Sequence, residues 1–108
     1  MAPAELDVRV VHDGPVARIL LSGRLDSGGA DIVRESVRPL LNRSGDRIVV
    51  DLAHVDHIDL AGLAALLRVD TLARAAGSTV ELTAVPATLD QLLRETGLRF
   101  RFDGGQPR

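Results

Sequence analysis

The chain has 108 residues, 45% of them hydrophobic, with thirteen basic and fifteen acidic side chains for a formal net charge of −2, two phenylalanines, no Tyr or Trp and no cysteine. This length bounds a single domain burying roughly 65% of its unfolded surface in one core, and the missing cysteine excludes disulfides and thiolate metal sites. All the basic residues are arginine and are scattered among the acids, which removes lysine-dependent chemistry and leaves neither basic stripe nor stacking platform for a nucleic acid.

Met1-Ala2-Pro3-Ala4-Glu5 has no basic or apolar leader character, so cytoplasmic residence is expected. No apolar run approaches the ~18 residues of a membrane span, so direct membrane insertion is not expected. Leu6, Val8 and Val10 alternate with Asp7 and Arg9, the period of a half-buried strand, and Asp13-Gly14-Pro15 turns the chain into a second strand over Val16–Ser22. Asp26 or Ser27 can cap a helix whose apolar positions Ala30, Val33, Val37 and Leu40/Leu41 follow the 3.6 period to Ser44-Gly45. Pro39 interrupts it, costs a hydrogen bond and is expected to kink the helix or set off its last turn.

Ile48–Leu52 is a short apolar run suited to a central strand buried on both faces, and Leu60–Ala76 is a helix ended by Gly77. Thr79–Ala84 is a further strand. Pro86 suits the first position of a helix carrying Leu89, Leu92 and Leu93 and stopped at Gly97, with Leu98 making the apolar contact after the cap. Phe100 and Phe102 alternate with arginines as in a final edge strand, and residues 103–108 read as a frayed tail. The expected fold is α/β, a single domain over residues 1–108 with a mixed four- to five-stranded sheet and packed helices.

The functional signal lies at Asp59-Leu60-Ala61-Gly62-Leu63, where an apolar strand passes into an Ala/Leu-rich helix. The free N–H groups and macrodipole of a helix's first turn favour negative charge there, so a phosphate on the first helical residue would be well held. Asp59 suits the N-cap, accepting from the N–H of Ala61 or Gly62. A glycine inside the first turn weakens the helix by up to about 1 kcal/mol, so Gly62 needs a reason, and close approach by a partner or by a neighbouring backbone supplies one. Leu60 either tucks onto the core or is exposed; if exposed, it lines up with Ala64, Leu67 and Thr71 on one helix face, while Leu63, Leu66, Val69 and Ala73 face the sheet. A helix apolar nearly all round, broken chiefly by Arg68, Asp70 and Arg74, points to an interface.

The run from Val49 to Leu67 containing Asp59-Leu60-Ala61-Gly62-Leu63, with Ser22-Gly23-Arg24-Leu25-Asp26 upstream, resembles the STAS domain of bacterial anti-sigma-factor antagonists. The resemblance extends to Gly77, Val85-Pro86 and Thr96-Gly97-Leu98. It implies a non-enzymatic protein–protein regulatory module whose partner surface comprises Asp26, Ser27, Asp59, Leu60, Ala61, Gly62, Leu63, Ala64 and Leu67. The implied partner is an anti-sigma factor with a kinase-type ATPase fold. In that family the residue after the corner aspartate is usually a phosphorylated Ser or Thr; Leu60 stands there, so no phosphorylation is expected at that place, and Ser27 is the nearest substitute hydroxyl. The sequence also resembles the small cytoplasmic STAS subunit of lipid-transporting ABC systems, which implies an ABC transporter ATPase as partner, and a scaffold subunit of a stress assembly is a third possibility.

Other chemistry finds no support. His54, Asp56, His57 and Asp59 are poorly spaced for a metal, and no further ligand set completes a site. Asp51 ends a strand as the aspartate of a receiver domain does, but no lysine follows. Ser22, Ser27, Ser36, Ser44 and Ser78 have no linked His/Asp set, and no phosphate loop is present, so neither catalysis nor a cofactor is expected.

Overall fold

A computed structural model describes residues 6–42 and 47–102. The expected helix close at Ser44-Gly45 and the tail at 103–108 lie outside the described residues. Strands β1 (Leu6–Asp13) and β2 (Val16–Leu25) form the expected hairpin, in antiparallel register with Asp13 opposite Val16 and Leu6 opposite Gly23. Helix α1 (Ser27–Val37) follows, then a 3-10 turn over Arg38–Asn42. Strand β3 (Arg47–Ile58), helix α2 (Leu60–Ala75), strand β4 (Thr79–Thr83), helix α3 (Ala87–Thr96) and a 3-10 turn (Arg99–Phe102) complete the order. The sheet runs β1-β2-β3-β4, with β3 parallel to both β2 and β4. This is the mixed α/β sheet expected, at four strands.

Alternation along the strands divides the sheet into two faces. Ala17, Ile19, Leu21 and Leu25 of β2, Ile48, Val50 and Leu52 of β3 and Val80 of β4 are buried in one cluster with Val33 and Val37 of α1, Leu63, Leu66, Val69 and Ala73 of α2 and Leu89 and Leu93 of α3. The opposite face bears Arg18, Arg47 and Glu81, the last two ion-paired. Val49 points there yet is buried, so the apolar run Ile48-Val49-Val50 is covered on both faces.

Pro39 acts as expected: α1 ends at Val37, and the proline falls inside the 3-10 turn, whose tighter winding still buries Leu40. Three expectations are corrected. Strand β3 continues to Ile58, although its second half is polar, because the backbone pairing with β2 persists there. Pro86 is the N-cap of α3 rather than its first residue, with extended backbone and no capping side chain. The Phe100/Phe102 segment is a 3-10 turn and not an edge strand: Arg99 pairs with Asp90 of α3, and Phe102 is buried in the core, which draws the chain back against the helix. Gly97 supplies the left-handed cap (φ 71°), with the Leu98 N–H donating to the Leu93 carbonyl at 3.0 Å.

Asp70 is the one acid among the described residues with no exposed surface. Arg74, one turn later, donates from Nε to both carboxylate oxygens at 3.0 Å. The sequence pattern placed Asp70 among the polar interruptions of an apolar helix; packing seals it beneath the half-exposed Arg74. Stripping a partner from a buried carboxylate costs more than an exposed pair ever supplies. Arg74→Ala is therefore expected to lower unfolding free energy by about 2 kcal/mol in urea titration. Arg38→Ala, which removes only the exposed pair with Glu35, should cost less than about 0.5 kcal/mol.

Candidate partner-binding corner

Two strand-to-helix corners lie side by side because β2 and β3 are parallel and end in register, Leu25 opposite Ile58. The next residue of each strand is an aspartate in extended conformation that caps a helix. Asp26 Oδ1 accepts from the Gly28 N–H at 3.0 Å, and Asp59 Oδ1 from the Gly62 N–H at 3.0 Å. Both alternatives left open by the sequence, Asp26 or Ser27 and Ala61 or Gly62, are thereby decided.

Register alone would not bring the two aspartates level. Pairing of β3 with β2 slips between Leu20/Ser22 and again between Gly23/Arg24, and each slip lodges one additional residue in β3. Asp51 Oδ1 supports the first by accepting from the Ala53 N–H at 2.9 Å. Gly23 accommodates the second with φ 107°, a conformation that side-chain-bearing residues rarely adopt. Without the two bulges Leu25 would stand opposite Asp56, and Asp59 would run two residues past Asp26.

Gly62 answers to backbone, not partner. A Cβ there would collide with the Leu25 carbonyl oxygen and lie 2.9 Å from Ile58 Cγ1. In the sister corner a Cβ on Gly29 would lie 3.0 Å from the Arg24 carbonyl oxygen. The corners thus share one pattern, Asp26-Ser27-Gly28-Gly29 and Asp59-Leu60-Ala61-Gly62: a capping aspartate with a glycine three residues on, each pressed against the end of β2. That echo was readable in the sequence. It puts Ser27 at the place in one corner that Leu60 holds in the other.

Of the expected surface residues, Asp26, Ser27, Asp59, Leu60, Ala61, Ala64 and Leu67 are exposed fully or in part. Leu60 is 64% exposed, the most exposed large apolar residue described. Gly62 and Leu63 are corrected: both are buried, Gly62 against Leu25 and Leu63 within the core, because the helix turns them toward the sheet. Between α1 and α2 lies a groove of about 270 Å³ lined by Ser27, Ala30, Asp31, Arg34, Ala61, Ala64, Ala65 and Arg68. Five of these, Ala30, Asp31, Arg34, Ala65 and Arg68, formed no part of the expected partner surface. Arg34 donates to Asp31 at 2.8 Å. On the far side of α2's ridge, Ala64, Leu67, Arg68, Thr71 and Leu72 line a more open hollow.

The corner is electrostatically asymmetric. Loss of water around Asp26 raises its pKa, but the Arg24 guanidinium (Nε at 3.3 Å) and the Gly28 and Gly29 N–H groups outweigh that, and the carboxyl titrates below its ordinary 3.8. Asp59 has His57 Nε2 at 3.8 Å from its second oxygen.

Gly62→Ala should destabilise the fold by about 2 kcal/mol or more, read from the denaturation midpoint, since neither the Leu25 carbonyl nor the helix can yield without disturbing the cap. A folded-state pKa below the unfolded one gives stability that is present above pH ~3.8 and lost as pH falls through the lowered value. The stability difference between the native chain and Asp26→Asn should therefore shrink as pH is lowered below that point; an unchanged difference at all pH values would show that the charge at Asp26 contributes nothing.

Comparison with known proteins bears on this corner. A family model described as "Mlab, STAS domain" matches residues 8–99. No curated protein matches the chain in sequence. Among solved structures, an anti-sigma factor antagonist from Mycobacterium paratuberculosis is 25% identical with a TM-score of 0.74, covering 94% of this chain and 86% of that one. Mglu is 26% identical with a TM-score of 0.65, covering 73% of this chain, which spans only 20% of that larger protein. A sulfate transporter family protein from Wolinella succinogenes shares the fold, with 20% identity and a TM-score of 0.68, covering 82% of this chain and 71% of that one. With the family model spanning both corners and running from within β1 past the end of α3, the chain belongs to the STAS domain family.

Proposed function

We propose that this STAS domain is a non-enzymatic regulatory module of the cytoplasm, acting as an anti-sigma-factor antagonist. It docks on an anti-sigma factor of kinase-type ATPase fold through the Asp26 and Asp59 corners and the outer face of α2. The observation that supports this most is Leu60, 64% exposed on the first turn of α2, directly after the capping aspartate. A large apolar side chain held in water at a rigid helix start is stabilised by a partner that covers it.

The same residue sets the regulation. A phosphate would add a charge of about −1.5 to −2 to this contact and repel a partner built for an apolar one, whereas leucine takes no phosphate. The domain then behaves as permanently unphosphorylated at that corner. Ser27, holding the corresponding place in the sister corner, is the hydroxyl through which a phosphate could still reach the surface.

A second reading places the same surface against the ATPase of an ABC transporter. The Mlab description of the matching family model and the likeness to a transporter-family protein favour it. Affinity capture of the tagged protein from its host, with ATP or ADP present, separates the two: a kinase-like anti-sigma factor in the eluate supports the first, permease and ATPase chains the second. With the captured partner purified, Leu60→Asp is expected to weaken binding about tenfold or more by calorimetry; unchanged affinity would remove the corner from the interface.

A further inference from the structure

The groove between α1 and α2 is built for one kind of visitor. Half of its lining is alanine, Ala30 on α1 and Ala61, Ala64 and Ala65 on α2, so two packed helices leave open a space where larger side chains would have closed it. The polar groups on its rim are Ser27, Asp31, Arg34 and Arg68. Arg34 Nη2 donates to Asp31 Oδ1 at 2.8 Å, while Arg34 Nε is buried with no hydrogen-bond partner among the described residues. Arg68 is exposed and, among the described residues, makes no hydrogen bond or ion pair. It also borders the neighbouring hollow formed with Leu67, Thr71 and Leu72. An unpaired guanidinium thus stands between an alanine slot and an apolar ridge running from Leu60 through Ala64 and Leu67.

Resting on the antagonist reading above, we propose that the partner inserts an acidic side chain into the α1–α2 slot, where its carboxylate pairs with Arg68 while apolar neighbours cover Leu60 and Leu67. Three features select this occupant. The slot's volume, about 270 Å³, suits a side chain rather than a helix. Arginine presents a planar fork that carboxylate oxygens meet two at a time, and ringing that pair with apolar contacts excludes water and strengthens it. The Asp31–Arg34 pair on the opposite wall fixes a carboxylate close by, which disfavours a doubly charged group more than a singly charged one. A phosphate carried on Ser27, which lines the same slot, would compete for Arg68 and close it.

The test uses the full chain and the purified anti-sigma factor. Dissociation constants are measured by calorimetry at about 50 and 200 mM salt. Binding of the native chain should weaken with salt. Arg68→Glu should weaken it about tenfold or more at low salt and flatten the salt dependence, Arg68→Lys should retain most of it, and an acidic-to-arginine change on the partner should restore binding to Arg68→Glu. Because Arg68 is exposed and unpaired, these variants should melt at the native temperature. If Leu60→Asp weakens binding but Arg68→Glu and salt do not, the slot is not used and this inference is overturned while the antagonist reading stands. If no anti-sigma factor binds, or neither substitution has any effect on its binding, the antagonist reading falls and this inference with it.

Discussion

The approach of α2 to the end of β2 is the constraint on which the corner depends. At Gly62 the helix backbone lies so near the Leu25 carbonyl that no side chain fits, and that nearness sets where α2 begins. With the first turn held there by the Asp59 cap, the helix can turn Leu63, Leu66, Val69 and Ala73 onto the sheet only if Leu60, Ala64 and Arg68 face outward. The exposure of Leu60 is therefore not a failure of packing. It follows from an anchor three residues away that has no freedom to rotate.

The bulges in β3 do comparable work over a longer reach. A strand of twelve residues paired with one of ten must lose register somewhere, and here the two slips fall between Leu20 and Arg24 of β2, at the end of the sheet that carries the corners. They take up two residues of β3 so that Asp59 stands level with Asp26 and does not overrun it, and the helices that follow pack side by side with their capping aspartates adjacent. Asp51, Gly23 and Gly62, none of which forms the outer surface, thereby determine which residues do. Small side chains along the α1–α2 seam then leave the groove open.

Much of this was legible in the residues themselves. Strand alternation, the Asp-Gly-Pro turn, the capping aspartates and the stops at Gly77 and Gly97 each rest on local preferences that act within a few residues, and the structure keeps them. What failed failed for non-local reasons. The second half of β3 is polar and reads as loop because its pairing energy comes from the neighbouring backbone, not from its own side chains. Phe100 and Phe102 alternate as a strand would, but an ion pair from Arg99 to Asp90 and the burial of Phe102 decide otherwise.

The sequence by itself determined the order of elements as far as α3, the Asp59 cap and the presence of a large apolar residue directly after it, because these are properties of short segments. Only the tertiary structure decided that the two corners stand level, that Gly62 faces backbone and not partner, that Leu60 is exposed, that Asp70 is sealed and that Arg68 meets no counter-charge among the described residues. Each of those depends on distances between segments far apart in the chain, fixed by sheet register and helix packing, which no local pattern encodes.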